Sequence, residues 1–339
     1  MKTVLVTGAG GYIGSVLTRT LLDAGYRVLA IDRFFFGRDS LPPEDEKLRV
    51  VRTDIRWMDE SFFEDVFAVI DLAALSNDPA GEMEPEKTWE INHRGRARVA
   101  RLAKNHGVER YILPSSCSIY GFQDGVLDES SPVNPLTTYA KANLGAERDI
   151  LYLSDDSFCV VVLRQATVYG LSPRMRFDLA INGMVRGLYQ TGRLPILRDG
   201  LQWRPFVHVK DTSRAMRMAL EAPTSNVNGE IFNVGSNDQN CQIMPLAEMV
   251  ADAVGLPFNY DWYGSPDHRS YQVRFDKIGH VLGFSAQLSP ADGAREVHHA
   301  LASGELDPND PKMITLEWYK SLIEMRGLLQ EIELEGVLL

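Results

Sequence analysis

Thr3-Val4-Leu5-Val6-Thr7, followed by Gly8-Ala9-Gly10-Gly11-Tyr12-Ile13-Gly14, decides the fold of this chain. The first five residues form a short apolar, β-branched run, suited to a strand buried on both faces. The glycines follow at once, and residues 15–24 then carry a helical pattern that Gly25 ends. A second apolar run, residues 27–31, closes on Asp32. Each glycine has a physical reading. Gly8 lets the chain leave the strand sharply, Gly11 lets backbone approach a pyrophosphate, and Gly14 lets the helix pack closely. Tyr12 and Ile13 lie in the glycine stretch before the helix, whose N-terminus faces the phosphates. Asp32 is placed to accept hydrogen bonds from an adenosine ribose. Strand, glycines, helix, strand and acid together predict a dinucleotide site. A carboxylate at 32 repels a 2′-phosphate, so the spacing favours NAD over NADP. Arg33 beside it has two readings, stacking on adenine or holding a phosphate.

The rest of the chain repeats this rhythm. Residues 48–52, 68–74, 111–115 and 159–163 read as further strands, with helices over residues 62–67, 86–105 and 135–153 between them. Alternation of this kind predicts a doubly wound parallel sheet, a Rossmann fold of the α/β class. Past Gly170 the rhythm changes. Residues 177–189, 212–221, 245–254 and 313–329 read as helices among short strands at 194–197, 206–209 and 231–234. The expected organisation is a cofactor domain over residues 1–170 and a smaller mixed α/β substrate cap over most of 171–339. Segments near 204–219 are expected to return to the main sheet.

Bulk properties narrow the partners. A 339-residue chain that is 45% hydrophobic and 24% charged suits one large α/β unit with a smaller cap. A formal net charge of -11 opposes nucleic acid as a ligand. An anionic substrate must therefore meet local arginines. Cys117, Cys159 and Cys241 are scattered and odd in number, which points to reduced thiols and no zinc site. No run reaches membrane-spanning length. The chain opens straight into a strand, so a cytoplasmic location without a signal peptide is expected.

Several residues at predicted strand ends carry chemistry. Asp54, followed by Ile55, reads either as a contact to the adenine amino group or as an ordinary strand-end cap. The small residues of Leu72-Ala73-Ala74 let a cofactor pass close by. Asn92 lies mid-helix, where asparagine is a mediocre helix former, so a tertiary role is expected. The fifth strand opens into Ser115-Ser116-Cys117-Ser118-Ile119-Tyr120-Gly121, and the next helix begins with Pro135-Leu136-Thr137-Thr138-Tyr139. A hydroxyl and a phenol beside a nicotinamide suit alcohol oxidation, with tyrosinate as base. From residue type alone, Ser116 also reads as a turn serine capping backbone amides.

The glycine pattern, Leu72-Ala73-Ala74, Asn92, Ser-Ser-x-Ser-Ile-Tyr-Gly, and Tyr139 with Glu147 resemble the extended short-chain dehydrogenases/reductases, above all their nucleotide-sugar epimerases and dehydratases. Arg204-Pro205-Phe206-Val207-His208-Val209-Lys210-Asp211 is similar to that family's Arg-Asp-Tyr-Ile-His-Val-x-Asp segment. The resemblance implies bound NAD, a nucleotide-diphosphate sugar as substrate, and Ser116 and Tyr139 as the catalytic pair. It also implies Asn92 on the cofactor side, Arg204 on the diphosphate, and a homodimer through the helices carrying Asn92 and Tyr139. Candidate substrate contacts are Ser76, Ser118, Thr167, Arg176, Asn182, Arg204 and Arg269. Leu75-Ser76-Asn77-Asp78 together with Arg174-Met175-Arg176 resembles a subgroup that includes GDP-heptose oxidoreductases.

Two departures matter. The family pattern is Tyr-x-x-x-Lys, and Asn143 stands at the lysine position. Asn143 faces the same side as Tyr139 and can bond a ribose hydroxyl, but it brings no charge. Lys141 points about 160° away around the helix. Slower catalysis, a differently organised base and loss of turnover are all open. Related dehydratases carry acids where Cys117 and Ser118 stand here. Epimerisation through a ketosugar is therefore expected, with a dehydrogenase/reductase or a non-catalytic binding module as alternatives.

Overall fold

The computed structural model describes residues 1–265 and 269–334. Seven parallel strands form the main sheet: β1 (Thr3–Thr7), β2 (Arg27–Asp32), β3 (Leu48–Arg52), β4 (Val66–Asp71), β5 (Arg110–Ser116), β6 (Cys159–Gln165) and β7 (Glu230–Val234). Their spatial order is β7-β6-β5-β4-β1-β2-β3. The alternation within β1 explains why both faces are covered. Val4 and Val6 pack with Leu17 and Leu21 of the helix Tyr12–Asp23, while Leu5 faces the opposite core with Val69, Ala100 and Val162. β1 pairs with β2 on one side and β4 on the other, so the order reverses there. Open α/β sheets bind ligands at such a switch point, outside the carboxyl ends of the strands.

The later chain departs from the expected layout. Residues 62–67 are not a helix. A short 3-10 turn, Glu60–Phe63, leads directly into β4, because Val66 and Ala68 are already pairing with β1. The strand Trp203–His208 does not join the main sheet. It lies parallel to Thr167–Tyr169 and antiparallel to Asn240–Gln242 in a small sheet of its own. What returns to the main body is the helix Val209–Glu221, whose Met216 and Leu220 share the core with Leu17. Arg110 fastens it by donating to the Ala219, Leu220 and Ala222 carbonyls. Residues 231–234, expected in the cap, belong to β7.

The C-terminal helix, Thr315–Ile332, also folds back. Trp318 Nε1 donates to the Phe35 carbonyl at 2.6 Å, and the Tyr319 ring packs against Phe35 and Phe36. It thereby backs the loop that follows β2.

The glycine turn is sterically closed. Gly8 adopts φ +66°, and a Cβ there would lie 2.8 Å from the Leu72 carbonyl carbon. A Cβ on Gly14 would lie 2.1 Å from the Gly8 carbonyl oxygen, so it is the turn itself, more than the strand, that Gly14 accommodates. Gly14→Ala should therefore destabilise the fold by about 1–3 kcal/mol, the usual range for overpacking. Urea unfolding measures this, and a midpoint equal to wild type would refute the packing assignment.

Candidate active site

One cleft of about 830 Å3 runs along the carboxyl ends of the strands, large enough for an extended ligand. At one end lies the glycine turn. The helix Tyr12–Asp23 starts at Gly11 with no side-chain cap, so no side chain satisfies the amides at its N-terminus. Gly11 is close to its limit, since a Cβ there would stand 3.1 Å from the Gly8 carbonyl oxygen. The Asp32 carboxylate accepts from the Gly10 amide at 3.0 Å and the Phe34 amide at 2.7 Å. Burial raises its pKa and those amides pull it back. An uncapped helix start beside a fixed carboxylate fits the diphosphate and ribose of NAD.

The adenosine side is more crowded than expected. Arg33 donates to Asp54 at 3.0 Å and lies over the Phe35 ring. Arg56 clasps the same carboxylate with its Nε and Nη2. Burial opposes ionisation of Asp54, but Arg56 outweighs it and the pKa falls. Asp54 Oδ1 also accepts from the Arg56 amide at 2.9 Å, as a strand-end cap does, and the residue lines the cleft as the counter-ion of two arginines. Ile55, Leu72, Ala73 and Ala74 complete the wall.

Asn92 is completely buried in a π-helical turn, Trp89–Gly95. Its carboxamide accepts from the Leu75 amide at 2.8 Å and donates to the Leu75 carbonyl at 3.0 Å. The wide turn thus lets a helix residue bind a loop as a neighbouring strand would, and so fixes the cleft edge after β4.

The catalytic candidates meet at the centre. Ser116 ends β5, and its Oγ accepts from the Ser118 amide at 3.1 Å. The capping reading and the catalytic reading are therefore compatible, because a hydroxyl that accepts there keeps its hydrogen for a ligand oxygen. Tyr139 lies in the first turn of the helix Thr138–Leu151, which Thr137 caps. Gly81 lets it in: a Cβ at that position would stand 2.9 Å from the Tyr139 Cβ. Burial raises the pKa of Tyr139 and Asp78 adds to this, while Arg96, Ser116 and Asn143 oppose them. Asn143 is not among the residues lining the cleft. It is buried beneath, and its Oδ1 accepts from Arg96 Nη1 at 3.0 Å.

The substrate side brings Ser76, Ser118, Thr167, Arg176, Arg204 and Arg269 to the same cleft. Arg176 forms a fork with Asp178 and also donates to Ser76. Arg269 pairs with Asp78, and Arg204 donates to the Arg269 carbonyl while its guanidinium lies over Tyr271. Asn182 corrects the expectation. It is fully buried, accepting from the Gly170 amide and donating to Tyr12 Oη and the Arg176 carbonyl, so it positions Tyr12 and the arginine segment and does not line the cleft. Tyr12 in turn donates to the Gly170 carbonyl at 2.6 Å. Cys117 is buried with its thiol donating to the Arg164 carbonyl, and burial pushes its pKa up. His208 bonds Glu296 and the Lys210 amide, as a structural histidine does.

Arg174 and Arg96 are the residues that sequence reasoning undervalued. Arg174 stacks on Phe36 at 3.6 Å, donates to Thr315, and pairs with no carboxylate among the described residues. Burial, with Arg176 nearby, brings its pKa down to about 10. It lines the cleft on the Asp32 side, near enough for the two charges to act on each other. Only its place in a basic segment signalled this.

Fold and cleft together define a dinucleotide-dependent enzyme of the short-chain dehydrogenase/reductase type. The chain matches the model of the NAD dependent epimerase/dehydratase family over residues 4–235, and it belongs to that family. It is 30% identical to a probable UDP-arabinose 4-epimerase of Arabidopsis thaliana, over 87% of this chain and 79% of the relative. It is 29% identical to a UDP-glucuronate 4-epimerase of Thermodesulfobacterium geofontis, over 87% and 94%. Among solved structures, it resembles the UDP-glucuronic acid 4-epimerase of Bacillus cereus in complex with UDP-glucuronic acid and NAD. There the TM-score is 0.78 at 25% identity, covering 89% of this chain and 99% of that one. The dTDP-glucose 4,6-dehydratase of Streptomyces venezuelae, with NAD bound, gives 0.79 at 28% identity, covering 90% and 99%.

Removing the Asp32 carboxylate should weaken NAD binding by about 1–3 kcal/mol, since polar groups lose a charged partner. Calorimetric titration of Asp32→Ala reads this. A wild type that binds NADP more tightly than NAD would overturn the assignment.

Proposed function

We propose that this chain is an NAD-dependent nucleotide-sugar epimerase working through a ketosugar. The observation that carries the reading is the meeting of Ser116 and Tyr139 in one cleft with the uncapped helix start and Asp32. Bound NAD supplies the hydride acceptor and, in reverse, its donor. Tyr139 takes the proton from the sugar hydroxyl, and Ser116 holds the same oxygen with the hydrogen left free by its bond to Ser118. Arg204, with Arg176 and Arg269 around it, supports the diphosphate. The epimerase relatives support this choice over a simple dehydrogenase. Dehydration is disfavoured by Cys117, whose buried thiol already donates to a carbonyl and supplies no acid at the position where related dehydratases carry one.

The test is incubation with a panel of nucleotide sugars, followed by NMR of the products. Conversion to an epimer without net NADH supports the reading. Stoichiometric NADH supports a dehydrogenase, and binding without conversion supports a non-catalytic module. Because only the phenolate is the base and its pKa is raised, the rate should climb with pH through the alkaline range. Tyr139→Phe should remove conversion while both ligands still bind. Wild-type single turnover in that variant would show that another group is the base.

Arg204→Lys should raise the substrate dissociation constant roughly tenfold or more, because an ammonium cannot reproduce a planar fork. NAD affinity should stay the same. Equal loss of both affinities, or loss of neither, would remove Arg204 from the diphosphate site.

A further inference from the structure

Arg96, in the helix Arg96–Asn105, is 1% exposed. Its guanidinium is held on three sides. Nη2 donates to the Asp71 carbonyl at 2.7 Å and to the Pro114 carbonyl at 2.6 Å, at the carboxyl ends of β4 and β5. Nη1 donates to Asn143 Oδ1 at 3.0 Å. Nε lies 3.6 Å from the Asp71 carboxylate, and the Asp71 oxygens also receive the hydroxyls of Thr7 and Tyr111. The same guanidinium lines the cleft with Ser116 and Tyr139.

A buried guanidinium is expensive in desolvation unless it is fully compensated. Here the carboxylate sits beyond hydrogen-bond range of Nε, shared with two hydroxyls, and the other contacts are to neutral oxygens. Asp71 offsets part of the positive charge, and the rest acts through Nη1 on the Asn143 side, where it favours ionisation of Tyr139. Arginine only donates, so the Asn143 carbonyl oxygen must face it and Nδ2 must face away. That Nδ2 is buried and has no hydrogen-bond partner.

We propose that Arg96 is the positioning residue that makes Tyr139 a usable base, supplying from the neighbouring helix the cation that position 143 lacks. Asn143 holds the guanidinium through its carbonyl oxygen from one helical turn beyond Tyr139. The arrangement accounts for asparagine at 143, since a lysine there would meet Arg96 with like charge about 3 Å away. This inference rests on the reading of Tyr139 as the base. The charged and polar groups around Tyr139 are Asp78, itself paired with Arg269, then Arg96, Ser116 and Asn143. Of these, Asp78 opposes ionisation and Arg96 favours it.

The experiment is a pH titration of the Tyr139 ζ carbon by carbon-13 NMR in the full chain with NAD added, the resonance being assigned by its loss in Tyr139→Phe. It needs no substrate, so it reads the inference even if no nucleotide sugar is converted. Arg96→Gln should raise the midpoint by about one unit or more, a roughly tenfold smaller phenolate fraction at fixed pH. Arg96→Gln combined with Asn143→Lys should bring the midpoint back. Arg96→Lys keeps the charge and loses the fork, so it should keep the midpoint within about half a unit while lowering the melting temperature. An unchanged midpoint in Arg96→Gln, or no recovery in the double variant, would overturn the proposal and leave Arg96 as a staple between strand ends. If Arg96→Gln does not fold, a shift of a full unit in Arg96→Lys would overturn it equally.

Discussion

Everything in the cleft depends on how closely β1, β4 and the first helix approach one another. Gly8 lies so near the backbone of Leu72 that no side chain fits between them, and Gly14 lies against Gly8 in the same way. This contact brings the helix start, the end of β4 and Asp32 into one small volume. It also puts Asp71 and Thr7, the last residues of their strands, in hydrogen-bonding contact. From Asp71 the packing continues to Arg96 and from there to Asn143. A steric constraint in the cofactor turn is thus continuous with the electrostatics around Tyr139.

Much of this was legible because it is local. Alternating or continuous apolar runs give strands, glycine spacing gives the turn, and Ser116 and Tyr139 follow directly after predicted strand and helix boundaries. The cofactor half therefore reads well from sequence. Residues 62–67 misled because three phenylalanines and a valine fit a helical face as readily as a turn entering a strand. The strand Trp203–His208 misled for a different reason. Its own pattern is correct, but which sheet it joins is decided by Thr167–Tyr169 and Asn240–Gln242, far away in sequence.

Side-chain roles were least legible where a partner is remote. Asn182 is an asparagine in a cap helix, and nothing local says that Tyr12 and Gly170 occupy all its polar atoms. Asp54 looks free until Arg33 and Arg56 close on it. The arginines expected as bare anion sites are mostly paired, Arg176 with Asp178 and Arg269 with Asp78. These ion pairs hold the guanidinium planes in place along the cleft. Arg96 was invisible for the same reason: only the fold brings the neighbouring helix beside the end of β5.

The helix Thr315–Ile332 backs the loop after β2, through Trp318 on Phe35, Tyr319 on Phe36, and Thr315 under Arg174. The wall nearest Asp32 is thus assembled from residues 33–36, 174 and 315–319, drawn from the beginning, middle and far end of the chain. During synthesis the glycine turn and Asp32 precede residues 315–319, and that wall is completed only after the helix Thr315–Ile332 has emerged. A nascent chain therefore holds the sequence signature of the cofactor site long before it holds the site.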